Sequence, residues 1–173
     1  MKNKQFEGFY KGILADSRIE KRNEKIMVGM LDFGNVVVNK YCLSHTDRIG
    51  AYRMLGNNSF YFNYLANGLY RACKNNQHAG YMFCIEDTTE LNFSHNFGRI
   101  GREDEDIGPV RSEKNAGFFC HPMLVIDVSY QLPIGISSID IWNRSWEKLN
   151  RDERNYHYQD IKDKESYRWI TSA

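Results

Sequence analysis

The chain has no apolar run approaching the roughly 18 residues of a membrane-crossing helix, and its start, MKNKQFEGFYKG, lacks the apolar stretch of a secretion signal. A cytoplasmic protein with no membrane partner is therefore expected. No C-x-x-C pair occurs: Cys42, Cys73, Cys84 and Cys120 stand far apart, three of them inside apolar runs where cysteine packs as a small hydrophobe, so reduced thiols are expected. Cys84, His95 and His121 include no pair at the close spacing that zinc sites use, which argues against zinc. No internal repeat is found, and the net charge is only +1. What is present is apolar mass: 42% of the 173 residues are hydrophobic and 14% aromatic, enough for one ordinary core or two small ones.

The small net charge hides two unlike halves. Residues 1–80 hold 12 Lys/Arg against 6 Asp/Glu, net +6, and residues 81–173 hold 11 against 16, net −5. A basic half suits a polyanionic partner, because phosphates attract Lys and Arg without regard to sequence. A solvated helical surface is the plainer account of the same excess.

The basic half reads as helical. Ile19, Ile26, Met30, Phe33 and Val37 recur at helical steps, which predicts a helix over 19–38 with Asp16 as its cap. Arg18, Lys21, Arg22 and Lys25 crowd its first turns, where cations oppose the helix dipole, so their presence asks for a compensating benefit such as a phosphate contact. A second helix is predicted over 59–74, capped by Asn58 or Ser59, with Phe62, Leu65, Ala66, Leu69, Tyr70 and Cys73 on one face. Between them a short helix over 47–55 stops at Gly56.

The acidic half changes period. Strands are predicted over 81–85, 118–128 and 134–142, the last two joined by the hairpin stretch SYQLP. Apolar residues on both faces of the last strand suggest a sheet packed between helices. A helix opening at Asp163 would bury Tyr167, Trp169 and Ile170. The polar stretch 94–116 is longer than an ordinary connection, and its EDED run reads as a solvated face. The fold class is thus α+β.

The segment YMFCIEDTTELN carries an acid to the end of an apolar strand. Burying Asp87 would be costly, so it should protrude at the strand end, held rigidly. Two-metal phosphoryl-transfer sites use such a carboxylate, since hard cations need fixed oxygen ligands; a turn beginning at the acid is the simpler alternative.

The segments IEDTTELNF, GFFCHPMLVID and GISSIDIWNR resemble the start of the catalytic core of bacterial cut-and-paste DDE transposases of the Tn-five-like branch. Upstream, LADSRIEKR is similar to the Gly-Asp-x-Arg-x-x-x-Arg opening of that family's DNA-binding domain through Asp16, Arg18 and Arg22, with Ala15 in place of the glycine. GAYRMLGNN resembles the Ala-Tyr-Arg-Phe-x-x-Asn segment through Ala51, Tyr52, Arg53 and Asn57, and DKESYRWI is similar to the Glu-Lys-Glu-Ser stretch that begins the first core helix. These matches cover roughly residues 12 to 173 in the family's order.

The resemblance implies a helical DNA-binding domain over residues 1–78, followed over 79–173 by an incomplete RNase H-like α/β core of three strands and an opening helix. In that core three carboxylates hold two Mg²⁺ ions for attack on a phosphodiester, and Asp87 matches the first of them as catalytic and metal-binding residue. Glu86 should point to the opposite face by strand alternation. Arg18, Lys21, Arg22, Lys25, Lys40, Arg48 and Arg53 would contact double-stranded DNA at transposon ends. His121 aligns with a family histidine and is expected in the core. The second Asp and the Glu have no counterpart here, since Asp127 and Asp140 fall on hairpin strands rather than at the matching tip. The expectation is an incomplete transposase that binds DNA but does not cleave it alone, with full-length transposase or a downstream fragment as possible partners. A regulatory or inhibitory product that occupies ends or co-assembles with the enzyme is the alternative.

Overall fold

The computed structural model describes residues 9–14, 16–58, 60–100, 102–112, 114–147 and 157–172. It is a mixed α+β protein that divides into two compact units, residues 1–72 and 73–173.

The first unit is helical. Helix α1 (Ser17–Phe33) starts where the Asp16 carboxylate accepts the Arg18 N–H at 2.8 Å, the cap its sequence announces. It ends at Gly34, whose φ of 56° only glycine adopts at little cost, and the Asn35 N–H closes back on the Met30 carbonyl. This corrects the helix predicted over 19–38. Past Gly34 the chain leaves the helical path, so Val36 and Val37 are exposed, as is Phe33 on the last turn. Val38 opens the four-residue helix α2 (Val38–Tyr41), and α3 (His45–Leu55) follows, its end at Leu55 before Gly56 as predicted. Ile26 from α1, Val38, Tyr41 and Cys42 from the α2 region, and Ala51 and Met54 from α3 form one buried cluster, flanked by Ile19, Met30 and Phe60. Helix α4 (Phe62–Asn75) buries Ala66 in this unit, and its buried Cys73 belongs to the second. The proposed cap Ser59 lies outside the described residues.

The second unit is an antiparallel sheet with β4 (Ala116–Asp127) at its centre. β5 (Leu132–Trp142) pairs along one side through a hairpin. Along the other run β1 (Met82–Glu86) and β2 (Thr89–Asn92), while the two-residue β3 (Gly108–Pro109) lies on the β5 side, since Gly108 and Asn92 both pair with Gly117. Three strands were expected and five are found, because the first predicted strand continues beyond an interruption as β2 and the stretch read as a connection contributes β3. Glu86 faces Met123 and Thr89 faces Cys120, so the register is unbroken and Asp87 and Thr88 fall opposite Pro122 and His121. Pro122 has no N–H to give, which accounts for a local gap in the ladder.

Alternation along β4 sorts the residues onto two faces. Phe119, His121, Met123, Val125 and Asp127 are buried on one. On that face the C-terminal segment is anchored: Arg144 pairs with Glu165 through two bonds of 2.6 and 2.7 Å, Arg168 pairs with Asp140 and lies over Trp142, and Trp169 meets His121 edge-on at 4.8 Å. The continuous helix predicted from Asp163 is corrected here. Lys164 is extended, so the segment forms two single 3-10 turns and then α6 (Arg168–Thr171), leaving Ile170 and half of Trp169 exposed. The other face also departs from expectation. A sheet covered on both sides was predicted, yet Phe83 is 63% and Ile85 50% exposed, and Leu91 and Ile141 share their face. Among the described residues β1 bonds only to β4 and so has a strand neighbour on one side alone. The EDED run, residues 103–106, is mostly solvent-exposed, as its composition suggests.

Candidate functional site

The seven cations singled out in the sequence do not act as seven equivalent charges. Arg18 is folded back onto its own helix cap, its guanidinium 2.8 Å from the Asp16 carboxylate. That hydrogen bond holds the Asp16 carboxyl below the usual carboxylate range and raises Arg18 in turn. Arg22 and Lys25 both reach from α1 to Asp47 in the first turn of α3, at 3.0 and 2.6 Å on the same oxygen. The Lys25 ammonium, foremost, holds the Asp47 carboxyl down at about 2. One carboxylate cannot neutralise two cations, so this trio keeps a net positive charge.

Between α1 and the end of α3 lies an open groove of about 360 Å³, lined among others by Arg18, Arg22, Arg53 and Asn57. Three arginines from two helices therefore converge on one concavity, as a phosphate-binding surface requires. Lys21, Lys25, Lys40 and Arg48 lie outside its lining, and Lys21, Lys40, Arg48 and Arg53 form no ion pair with a described residue. Asp47 was missed as part of this site. Its signal was Ser44-x-x-Asp47 at a helix start, and Ser44 does cap α3, its hydroxyl accepting the Asp47 N–H at 3.0 Å.

The carboxylate at the strand end occupies different surroundings. Asp87 is exposed, and its Oδ1 accepts the N–H of the next residue, Thr88, at 2.8 Å. Glu86 points to the opposite face, as alternation requires, and is largely buried there. The Ser172 hydroxyl donates to Glu86 at 2.7 Å, while His121 Nε2 stands 3.6 Å from the second carboxylate oxygen. His121 is fully buried, with Nδ1 2.8 Å from the Thr88 hydroxyl. Asp127, 2% exposed, accepts the N–H groups of Ser129 and Tyr130 and so shapes the hairpin turn, and Asp140 is paired with Arg168. Both carboxylates are engaged away from Asp87.

The Mg²⁺ that the resemblance implies needs about six oxygen ligands per ion. Asp87 offers one carboxylate facing Pro122, between Glu86 turned away and Thr88, and among the described residues no group of three His, Cys, Asp or Glu is placed to hold a metal. The residues present do not fit a two-cation site. No helix among the described residues is long and apolar enough to cross a membrane. No family model and no curated protein matches the chain.

Proposed function

We propose that this chain is the N-terminal portion of a DNA transposase of the Tn-five-like branch, and that its helical unit binds double-stranded DNA at transposon ends. The observation that carries the reading is the convergence of Arg18, Arg22 and Arg53 on one groove between α1 and α3. Arginine clusters on two packed helices suit phosphodiester oxygens, and the surrounding Lys21, Lys25, Lys40 and Arg48 extend the positive field. In this reading the sheet of the second unit is the opening of an RNase H-like core with Asp87 as its first carboxylate.

A second reading draws on the engagement of Asp127 and Asp140 elsewhere. With Asp87 the one acid free at the strand end, the chain would occupy DNA ends or co-assemble with full-length transposase without cutting. Fluorescence anisotropy with transposon-end and scrambled duplexes tests the binding. Tight, salt-sensitive association lost in Arg18→Ala/Arg53→Ala is expected, and indifference of binding to both substitutions would overturn the assignment. Incubation with Mg²⁺ tests what both readings share, since cleavage abolished by Asp87→Ala would overturn an incomplete site, and suppressed transposition in cells expressing this chain alone would favour the second.

A further inference from the structure

Arg22 is the one cation of the groove that is held on two sides. Its NH1 donates to Asp47 at 3.0 Å, and the rest of its guanidinium lies flat on the backbone of α3 at Gly50. A Cβ built on Gly50 would stand 2.6 Å from Arg22 Cζ, 2.8 Å from NH2 and 3.0 Å from Nε, closer than side-chain atoms approach one another. Gly50 sits inside an α-helix with no positive φ. A glycine there weakens the helix and serves no turn, so the space it leaves is its physical rationale.

Arg53 presents the contrast. It stands three residues beyond Gly50 on α3, is exposed, and carries no ion pair with a described residue. Arg18, itself exposed, leans on a half-buried carboxylate at its own helix end. Only Arg22 is fixed by a partner on the facing helix and by a slot in that helix's backbone. Five donors on one planar fork allow it to bond Asp47 and still present N–H groups elsewhere.

We infer that Asp47 and Gly50 are positioning residues that lock the Arg22 guanidinium in the groove as the preorganised member of a three-arginine site for a DNA phosphate. The inference rests on the DNA-binding reading and deepens it. A fixed guanidinium gives up little side-chain freedom on meeting a phosphate, whereas Arg18 and Arg53 must be ordered on contact. Lys25, sharing the Asp47 oxygen, keeps the trio cationic after Arg22 is engaged.

The test uses the full chain, a mixed-sequence duplex of about two helical turns, and anisotropy between about 50 and 200 mM salt. Gly50→Ala should weaken binding about tenfold at low salt and make the salt slope shallower by about one unit. Its thermal midpoint should not fall, because alanine favours the helix and the displaced group is a flexible side-chain end. In an Arg22→Ala background the same Gly50→Ala change should have no further effect on binding. A second readout needs no DNA: the Arg22 Nε–H resonance should be dispersed and slowly exchanging in the parent, and should move to the unstructured position in both Gly50→Ala and Asp47→Asn.

Equal losses on adding Gly50→Ala to parent and to Arg22→Ala would overturn the inference, as would parental affinity and slope in Gly50→Ala. Either result with salt-sensitive binding intact in the parent leaves the DNA reading standing. A parent that shows no salt-sensitive binding sinks the DNA reading, and with it the inference, however well ordered the Arg22 signal.

Discussion

Replacing Asp16 by asparagine should make DNA binding steeper in salt and tighter at low salt. Asparagine caps a helix as well as aspartate does, so α1 keeps its start while Arg18 loses its carboxylate partner. Seven cations, Arg18, Lys21, Arg22, Lys25, Lys40, Arg48 and Arg53, are offset by two carboxylates, Asp16 and Asp47, leaving five in excess. At about 0.9 of slope per neutralised phosphate, five give a slope near −4.5, and raising salt from about 50 to 200 mM weakens binding about 500-fold. Freeing Arg18 adds a sixth, giving a slope near −5.4 and a loss of about 1,800-fold over the same range. If the carboxylates gave way on binding, all seven would count in the parent, for a loss of about 6,000-fold, and the substitution would change nothing. Anisotropy titrations of parent and Asp16→Asn, with helix content followed by circular dichroism, distinguish these cases. A slope for Asp16→Asn equal to or shallower than the parent's, with helicity intact, would refute the reasoning.

Other outcomes follow from packing. Ile26→Ala empties the centre of the first unit's core and should cost about 2–5 kcal/mol, read as a lower denaturation midpoint for the helical signal. Gly117→Ala places a Cβ 2.1 Å from the Leu91 carbonyl oxygen, so β2 and β4 must part, and the sheet should lose at least about 1–3 kcal/mol in urea unfolding. Asp87→Ala should change stability by no more than about 0.5 kcal/mol, since this exposed side chain bonds only its neighbour, and a large loss in a melt would show that it is structural. Because the Asp47 carboxyl is depressed from 3.8 to about 2, the stability it lends is present above the unfolded value and is lost as pH falls from about 4 to 2; an acid titration of Asp47→Asn should lack that component of the parent's decline.

Much of the architecture was legible because it depends on neighbours in sequence. Asp16 starts α1, Gly56 follows the end of α3, and the switch from helical to strand period near residue 80 marks where sheet begins. Gly34 was as plain a stop signal, but Val37 beyond it continued the stripe and masked it. Alternation placed Glu86 opposite Asp87 correctly, yet could not reveal that Glu86 would meet His121 and Ser172, which lie 35 and 86 residues away. The same holds for the arginine groove. Arg22 and Asp47 are 25 residues apart, and their pairing follows from how α1 packs on α3, not from any local pattern. The C-terminal segment misled because its residues suit a helix while its anchors, Arg144 with Glu165 and Arg168 with Asp140, fix it to the sheet along a path that Lys164 breaks.

Every pairing in the sheet has β4 as one partner. On the ribosome β1 and β2 therefore emerge with nothing to bind, and their backbone N–H and C=O groups wait unpaired until residue 127 has been added. At about 5–20 residues per second that interval is roughly 2–8 s. Through it the nascent chain presents a sticky ribbon to chaperones and to neighbouring polypeptides, so a pause in translation before codon 116 would lengthen the period of greatest hazard.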